Sequence, residues 1–188
     1  MLNLKKIIEF VITLESILIS TMLPIYISLP SKENIINFFD VPINWQVPII
    51  IFLTIIFSAE IVYKAFNVYI FIGLFILPVF YNGGSLGYIL TPNFGYLLGI
   101  YPLIKIVNKL NKEDILSIKQ FFSISILALV LMHLIGILFF SIQLILFNKI
   151  ELISYNIGKY TLSKIIFEIL LLFPISILLL NIKKMKFS

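Results

Sequence analysis

The sequence predicts an all-α membrane protein with six transmembrane helices, on the strength of its composition and of the length of its apolar runs. Hydrophobic residues make up 61% of the 188 residues, charged residues only 12%, and the mean hydropathy is +1.12. A soluble domain of this length could not bury that much apolar surface. Apolar runs of about 20 residues cross roughly 30 Å of hydrocarbon as helices and are too long for barrel strands. We therefore expect a single transmembrane domain over residues 1–188.

The first three predicted helices are apolar runs bounded by polar or glycine-rich segments. We place them at about residues 7–29, 47–63 and 65–80. No small-residue cleavage site follows the N-terminal lysines, so the first run is interpreted as a retained helix. A polar connection from Pro30 to Trp45 separates it from the second helix, and the third helix ends near Pro78, before the turn at 82–84.

The last three predicted helices are separated by charged or polar connections. We place them at about residues 86–108, 120–147 and 160–182, with connections at 109–119 and 148–159. Pro92 is expected to kink or interrupt the fourth helix, because proline removes a backbone hydrogen bond. Gly95 lets another backbone or a ligand come close to that helix.

The distribution of lysine predicts the orientation of the chain. Positive charge near helix ends is retained in the cytoplasm. All fourteen basic residues are lysines, and ten of them fall on the side of the two termini and the 2/3 and 4/5 connections. Three fall on the opposite side, namely Lys32, Lys149 and Lys159. Both termini are therefore predicted to be cytoplasmic, in a multi-pass protein of a bacterial-type plasma (inner) membrane.

Lys164 lies within the sixth predicted span and away from the cytoplasmic helix ends. Lys164 is about one turn into the sixth helix, and Glu168 follows four residues later on the same face. A cation deep in a spanning helix costs about 3 kcal/mol, so an intramembrane charge indicates a functional site. The alternative is that Lys164 extends to the nearby outer interface while paired with Glu168.

Several polar residues fall on the external side of the predicted topology. They are Gln46, Asn82, Asn93, Tyr96 and Lys164. Amide, phenol and ammonium groups among apolar side chains predict a pocket for a small molecule with a polar head and an apolar body. The ammonium group also favours an anionic ligand. His133, the single histidine, is expected to have a packed or hydrogen-bonded structural role.

Other chemistry is poorly represented in the sequence. The chain has no cysteine, which excludes a disulfide, a thiolate metal site and a thiol nucleophile. We find no histidine cluster, no paired carboxylates and no phosphate-binding loop, so we expect no cofactor, no metal and no enzymatic or ATPase activity. The pI near 9.3 reflects lysines at the membrane surface and does not indicate nucleic acid.

A pair of small residues on the first helix suggests a contact with a partner protein. Ser16 and Ser20 are four residues apart, a spacing that permits close packing of helices in membranes. We therefore predict that this face of the first helix docks a partner subunit.

Three segments of the chain form a recognisable set, namely VPINWQ (Val41 to Gln46), LPVFYNGG (Leu77 to Gly84) and LTPNFGYLLG (Leu90 to Gly99). In sequence, order and spacing they resemble the BioY family, the biotin-binding S-components of energy-coupling factor transporters. HLIG, from His133 to Gly136, is a weaker match. The resemblance implies a six-helix subunit that binds biotin from outside. It also implies delivery with a transmembrane coupling subunit and two ATPase subunits, although some members are reported to work without them.

The resemblance further implies binding groups in the glycine-rich turn, in the Gly-Tyr segment and in an Asp-x-x-Lys pair at the start of the sixth helix. Lys164 matches that lysine, whereas Thr161 stands at the aspartate position, and Asn156 or Glu168 could compensate. A hydroxyl recognises a ureido group less strongly than a carboxylate does. A biotin precursor or a related small acid therefore stays open as the ligand. A membrane scaffold without a small-molecule ligand is the alternative from another class.

Overall fold

Helices account for most of the chain in the computed structural model, which describes residues 4–29, 37–81, 83–112 and 117–186. In chain order the elements are α1 (Leu4–Met22), β1 (Pro24–Leu29), β2 (Asn37–Asn44), α2 (Gln46–Ile56), α3 (Ala59–Phe75), a 3-10 turn (Leu86–Leu90), α4 (Pro92–Val107), a second 3-10 turn (Asn108–Lys112), α5 (Ile118–Leu146), α6 (Leu152–Ile157), a π-helical turn (Gly158–Leu162) and α7 (Ser163–Lys186). Because α6, the π-helical turn and α7 are continuous, the described residues contain six helical segments.

The six segments differ in how clearly they qualify as membrane spans. By length and composition, two are long and apolar enough to cross a membrane, namely Ile118–Leu146 with 29 residues and Leu152–Ile182 with 31. The segment α1 has 19 residues but includes charged side chains such as Lys6 and Glu15, while α3 and α4 have 17 and 16 residues. A helix of 16 residues rises about 24 Å, less than the roughly 30 Å of hydrocarbon. The shorter spans therefore need adjoining turns to complete the crossing.

The first helix ends earlier than the sequence suggested. We expected it to continue to residue 29, but α1 ends at Met22 and the expectation is wrong. Pro24 lacks an amide N–H and its ring clashes with the preceding turn, which stops a helix. The chain instead enters β1, which pairs antiparallel with β2 so that Ile25 lies opposite Val41. A hairpin thus replaces the end of the predicted helix and the second half of the predicted connection.

The break between the second and third helices also differs from the prediction. We expected it at Lys64, whereas it lies at Ser58, which has an extended backbone. Lys64 is instead on α3, where its ammonium lies 2.6 Å from the carboxylate of Glu60, one turn earlier. Both of these side chains are exposed, so the pair adds little to stability.

The short length of α2 determines how deep in the membrane its first residue, Gln46, lies. Its 11 residues rise about 16 Å, roughly half of the hydrocarbon thickness. It contacts the turn Asn108–Lys112, which follows α4. The lysine distribution assigns this turn to the cytoplasmic side. Gln46, at the opposite end of α2, therefore lies well below the outer membrane boundary, where the β hairpin joins the helix.

The glycine-rich turn after α3 folds back on that helix. The Phe80 amide donates to the Gly83 carbonyl at 2.9 Å, and the Gly83 amide donates to the Phe80 carbonyl at 3.1 Å. Gly83 has a φ of 146°, which glycine adopts without the steric cost of a Cβ atom. The Ser85 amide then donates to the Gly73 carbonyl at 2.8 Å. The closed turn buries the Phe80 ring 4.6 Å from the ring of Tyr88, measured between centroids.

Glycines bring α4 and α5 into close contact. A Cβ atom at Gly99 would lie 2.6 Å from the Met132 carbonyl oxygen, and one at Gly95 would lie 2.6 Å from the Phe139 side chain. Glycines four residues apart on one helix allow such an approach in membranes. Pro92 is the first residue of α4, which confirms that it interrupts the predicted fourth helix. The close packing fixes the two helices that carry much of the site.

The outward surface of the bundle is apolar, as the membrane prediction requires. Large hydrophobic side chains are exposed along α5 and α7, among them Leu127, Leu134, Leu138, Ile166, Leu170 and Ile177. In water such a surface would be costly, whereas hydrocarbon solvates it without penalty. These side chains therefore face the lipid.

Candidate functional site

A cavity of about 60 Å³ lies among α2, α4, α5 and α7, beside the end of β2. Small-molecule sites typically measure about 300–1,000 Å³, so a ligand the size of a vitamin requires the lining side chains to move apart. Its apolar lining comes from Ile43, Val47, Leu97, Ile100 and Met132. Its polar lining comes from Asn44, Gln46, Tyr81, Tyr88, Asn93, Tyr96, His133, Lys164 and Glu168. The cavity therefore offers both apolar contact and hydrogen bonds.

Most of the predicted binding residues converge on this cavity. Gln46, Asn93, Tyr96 and Lys164 all contribute to its lining. Thr161 lies behind the lining, where its hydroxyl is 2.7 Å from the Tyr96 hydroxyl and is buried. Asn82 lies outside the described residues. The predicted residues thus come from three helices that are distant in the sequence, and their binding roles stay predictions.

Lys164 is surrounded by aromatic rings. Its ammonium nitrogen lies 5.5 Å from the ring centroid of Tyr81, 6.0 Å from that of Tyr96 and 5.5 Å from that of Tyr160. Rings at these distances stabilise a cation through their quadrupoles. The π-helical turn Gly158–Leu162 directly precedes α7 and carries Tyr160, and such turns occur frequently at functional sites. Lys164 therefore places its positive charge in the cavity wall.

Glu168, one turn further along α7 than Lys164, makes a buried contact with His133. The Glu168 Oε2 atom is 2.8 Å from the His133 Nε2 atom of α5, so the glutamate contacts the histidine in place of the ion pair with Lys164 that we considered. His133 is 2% exposed and Glu168 is 6% exposed. His133 has the expected hydrogen bond, but it also lines the cavity, which the sequence did not indicate. The sequence did offer a signal for Glu168 as a lining residue, because it lies four residues after Lys164 on the same helix face.

Two buried nitrogen atoms in the cavity wall have no hydrogen bond of good geometry to the described residues, although the Gln46 side chain also interacts with the Tyr69 hydroxyl. Within the described part of the chain, neither the Gln46 Nε2 atom nor the His133 Nδ1 atom has a hydrogen-bond partner. A buried polar group without a partner costs about 1–3 kcal/mol. Both atoms are therefore available to a ligand or to water that enters the cavity.

Sequence reasoning missed three further polar residues of the lining, which are Asn44, Tyr81 and Tyr88. The Asn44 side-chain oxygen accepts a hydrogen bond of 3.1 Å from the backbone N–H of Gln46, and the Tyr88 hydroxyl donates to the Tyr81 carbonyl at 3.0 Å. Asn44 and Tyr81 lie within two residues of Gln46 and Asn82, which the sequence did select. Proximity in the chain was thus a usable signal.

The two serines of the predicted docking face differ in their burial. Ser20 is 3% exposed, and its hydroxyl donates to the Ile17 carbonyl at 2.9 Å. Ser16 is half-buried. Only Ser16 therefore reaches the outer surface of α1, and docking through this face stays a prediction.

The fold and the cavity define a polytopic helical membrane protein with a recessed cavity whose wall combines polar and apolar side chains. The sequence pattern of the BioY family matches residues 5–186, which is nearly the whole chain. The chain belongs to the BioY family, as its three motifs suggested.

Two known proteins illustrate the relationship. A probable biotin transporter BioY from Lysinibacillus sphaericus is 28% identical over 98 residues, or 52% of this chain, and the match spans about half, 50%, of that relative's length. The crystal structure at 2.1 Å of the S-component for biotin from an ECF-type ABC transporter aligns with a TM-score of 0.64. That alignment covers 98% of this chain and 92% of the other at 17% identity. It confirms the six-helix, S-component-like fold that we predicted.

Proposed function

We propose that this chain is the substrate-capture subunit of a vitamin uptake transporter and that its ligand is biotin, bound from the external side. The observation that supports this most directly is the cavity, whose wall holds the unpaired Gln46 Nε2 and His133 Nδ1 atoms together with the Lys164 ammonium. Membership in the BioY family supports the choice of biotin.

The chemistry of biotin fits this wall. Its ureido ring has N–H donors and a carbonyl acceptor, its sulfur-containing ring and alkyl chain are apolar, and it ends in a carboxylate. The Gln46 amide can donate to an acceptor oxygen, and Lys164 can donate a charge-assisted hydrogen bond to another. Tyr96 and the aliphatic lining, such as Leu97 and Ile100, can cover the apolar body of the ligand. The roles of these residues are binding and orientation, without a chemical reaction.

A binding screen of the purified full-length chain in lipid nanodiscs tests this proposal. Isothermal titration and thermal unfolding would be measured with biotin, with a biotin precursor and with other B vitamins. We expect saturable binding and stabilisation by biotin, weaker effects from the precursor and none from the other vitamins. Stronger binding of the precursor would favour another small acid as the ligand. The absence of binding by every compound would favour the scaffold alternative.

We also propose that transport requires a transmembrane coupling subunit and two ATPase subunits. The sequence has no phosphate-binding loop that could hydrolyse ATP. On α1, Ser16 is one of two small residues four positions apart, a spacing that permits close packing of helices. A Ser16→Leu substitution would add bulk on the outer surface of α1, whereas a change at the buried Ser20 would disturb the fold itself. We expect Ser16→Leu to abolish copurification with the coupling subunit while leaving biotin binding unchanged. An intact complex would remove the docking role from this face.

A further inference from the structure

We propose that Glu168, oriented by His133, accepts a hydrogen bond from an N–H group in the neutral head of the ligand and thereby selects for a cyclic urea or a cyclic amide. This inference rests on the proposed function, because it concerns the same cavity. It makes a buried carboxylate of this chain responsible for discriminating between ligands.

The geometry leaves one oxygen of Glu168 available to a ligand. Its Oε2 atom is engaged with the His133 Nε2 atom at 2.8 Å, and within the described residues this is the hydrogen bond of the Glu168 carboxylate. Both residues belong to the cavity lining. A carboxylate that is held from one side by an imidazole has a restricted orientation, so its second oxygen can accept a hydrogen bond at little further entropic cost.

Lys164 and Glu168 lie at different depths along α7. Since α7 runs from the outer side towards the cytoplasm, Glu168 lies about 6 Å deeper than Lys164, given a rise of 1.5 Å per residue. A carboxylate on the ligand is attracted by Lys164 and repelled by Glu168. The group that reaches Glu168 is therefore a neutral N–H donor.

A second polar group of the cavity lining specifies the rest of the ligand head. The Gln46 Nε2 atom has no hydrogen-bond partner among the described residues and can only donate, so it suits a carbonyl oxygen. A head that combines an N–H group with an adjacent carbonyl group can satisfy Glu168 and Gln46 together. Thr161 does not compete for this role, because its hydroxyl is already engaged with the Tyr96 hydroxyl and lies behind the lining.

The first experiment pairs a protein change with a ligand change. Isothermal titration would use the full-length chain in nanodiscs, biotin, and two biotin analogues, each methylated at one ureido nitrogen. We expect Glu168→Gln to weaken biotin binding roughly tenfold to over a hundredfold, because a charge-assisted hydrogen bond is lost. The analogue methylated at the nitrogen that donates to Glu168 should bind the wild type with a similarly reduced affinity. Glu168→Gln should reduce the affinity for that analogue little further. The matched control is Glu15→Gln on the exposed side of α1, which should bind biotin as the wild type does.

The outcomes separate this inference from the proposed function. If the wild type binds biotin and Glu168→Gln binds it equally well, the inference is overturned and the proposed function stands. Equal losses for biotin and for both analogues in Glu168→Gln would assign Glu168 a structural role and also overturn it. A wild type that binds no biotin overturns both.

The positioning role of His133 has a separate measurement. His133→Leu removes the hydrogen bond to Glu168, whereas His133→Gln keeps an N–H donor at that position. We expect His133→Leu to weaken biotin binding and His133→Gln to recover most of the affinity, with similar unfolding temperatures for the two variants. Equal biotin affinities in these variants and the wild type would overturn the role of His133.

Discussion

The outer and cytoplasmic halves of the helix bundle have different interiors. The outer half encloses the cavity, whose wall includes the buried polar side chains of Gln46, His133 and Glu168. The cytoplasmic half is filled by apolar side chains without measurable exposure, including Ile104, Val107, Leu110, Phe121 and Leu179. Under the proposed function, a ligand that enters from outside would meet a packed apolar floor, and its release to the cytoplasm would require these helices to move.

The difference also separates stability from binding. Close packing of apolar side chains in the cytoplasmic half stabilises the fold directly. In the outer half, two buried nitrogen atoms lack partners in the described structure, at a cost of about 1–3 kcal/mol each. A bound ligand can repay this cost, so changes in the outer half should alter affinity more than folding, and changes in helix packing should do the reverse.

The largest expected effect concerns the assignment of the two halves to opposite sides of the membrane. Single cysteines can be introduced at Ser85 and Ser117, which are both exposed, into a chain without native cysteine. An impermeant thiol reagent added outside intact cells should label Ser85→Cys and leave Ser117→Cys unlabelled. Permeabilised cells, in which both sites should react, provide the control. The reverse pattern would place the cavity on the cytoplasmic side.

The next effect concerns the charge in the cavity wall. Lys164→Met should weaken biotin binding by about 1.5–3 kcal/mol, or roughly tenfold to over a hundredfold, through loss of a charge-assisted hydrogen bond. Isothermal titration measures this loss, and Lys149→Met, at an exposed lysine outside the cavity, is the matched control. Unchanged affinity in a folded Lys164→Met variant would leave Lys164 as an interfacial lysine.

A comparable free-energy change is expected in stability when the contact between α4 and α5 is disturbed. In Gly99→Ala the new methyl group would meet the Met132 backbone, so we expect a loss of about 1–3 kcal/mol in the free energy of unfolding. Gly158→Ala is the control, because a Cβ atom there meets no atom within 4 Å. Reversible unfolding in detergent measures both variants. Equal stability of Gly99→Ala and the wild type would show that the two helices are free to separate slightly.

The smallest effect is expected at Thr161. Thr161→Val removes the hydrogen bond to the Tyr96 hydroxyl and should weaken biotin binding by about 1 kcal/mol, or roughly fivefold. Thr161→Asp restores the Asp-x-x-Lys pattern of the BioY family but places a carboxylate behind the cavity lining, so it should not tighten biotin binding if Glu168 accepts the ligand N–H group. Titration of the two variants beside the wild type decides whether this position acts on the ligand. Tighter binding in Thr161→Asp would show that the role of the family aspartate still belongs to position 161.

Composition and short motifs were sufficient to predict the membrane class, the six helical segments, the family and the convergence of Gln46, Asn93, Tyr96 and Lys164 on one cavity. These features follow from quantities that add along the chain, such as apolar length and lysine count, and from local signals such as Pro92. Pro24 is a comparable local signal for the end of α1.

The tertiary structure alone established which side chains meet across helices. His133 and Glu168 are 35 residues apart, and Tyr96 and Thr161 are 65 apart, yet each pair is within hydrogen-bond distance. The burial of Ser20 likewise appeared only in the fold. Such contacts depend on how each helix is rotated and how deeply it is set, which is decided by packing between helices, as at Gly99. Hydrophobic periodicity shows which residues share one face of a helix. It does not show which other helix packs against that face.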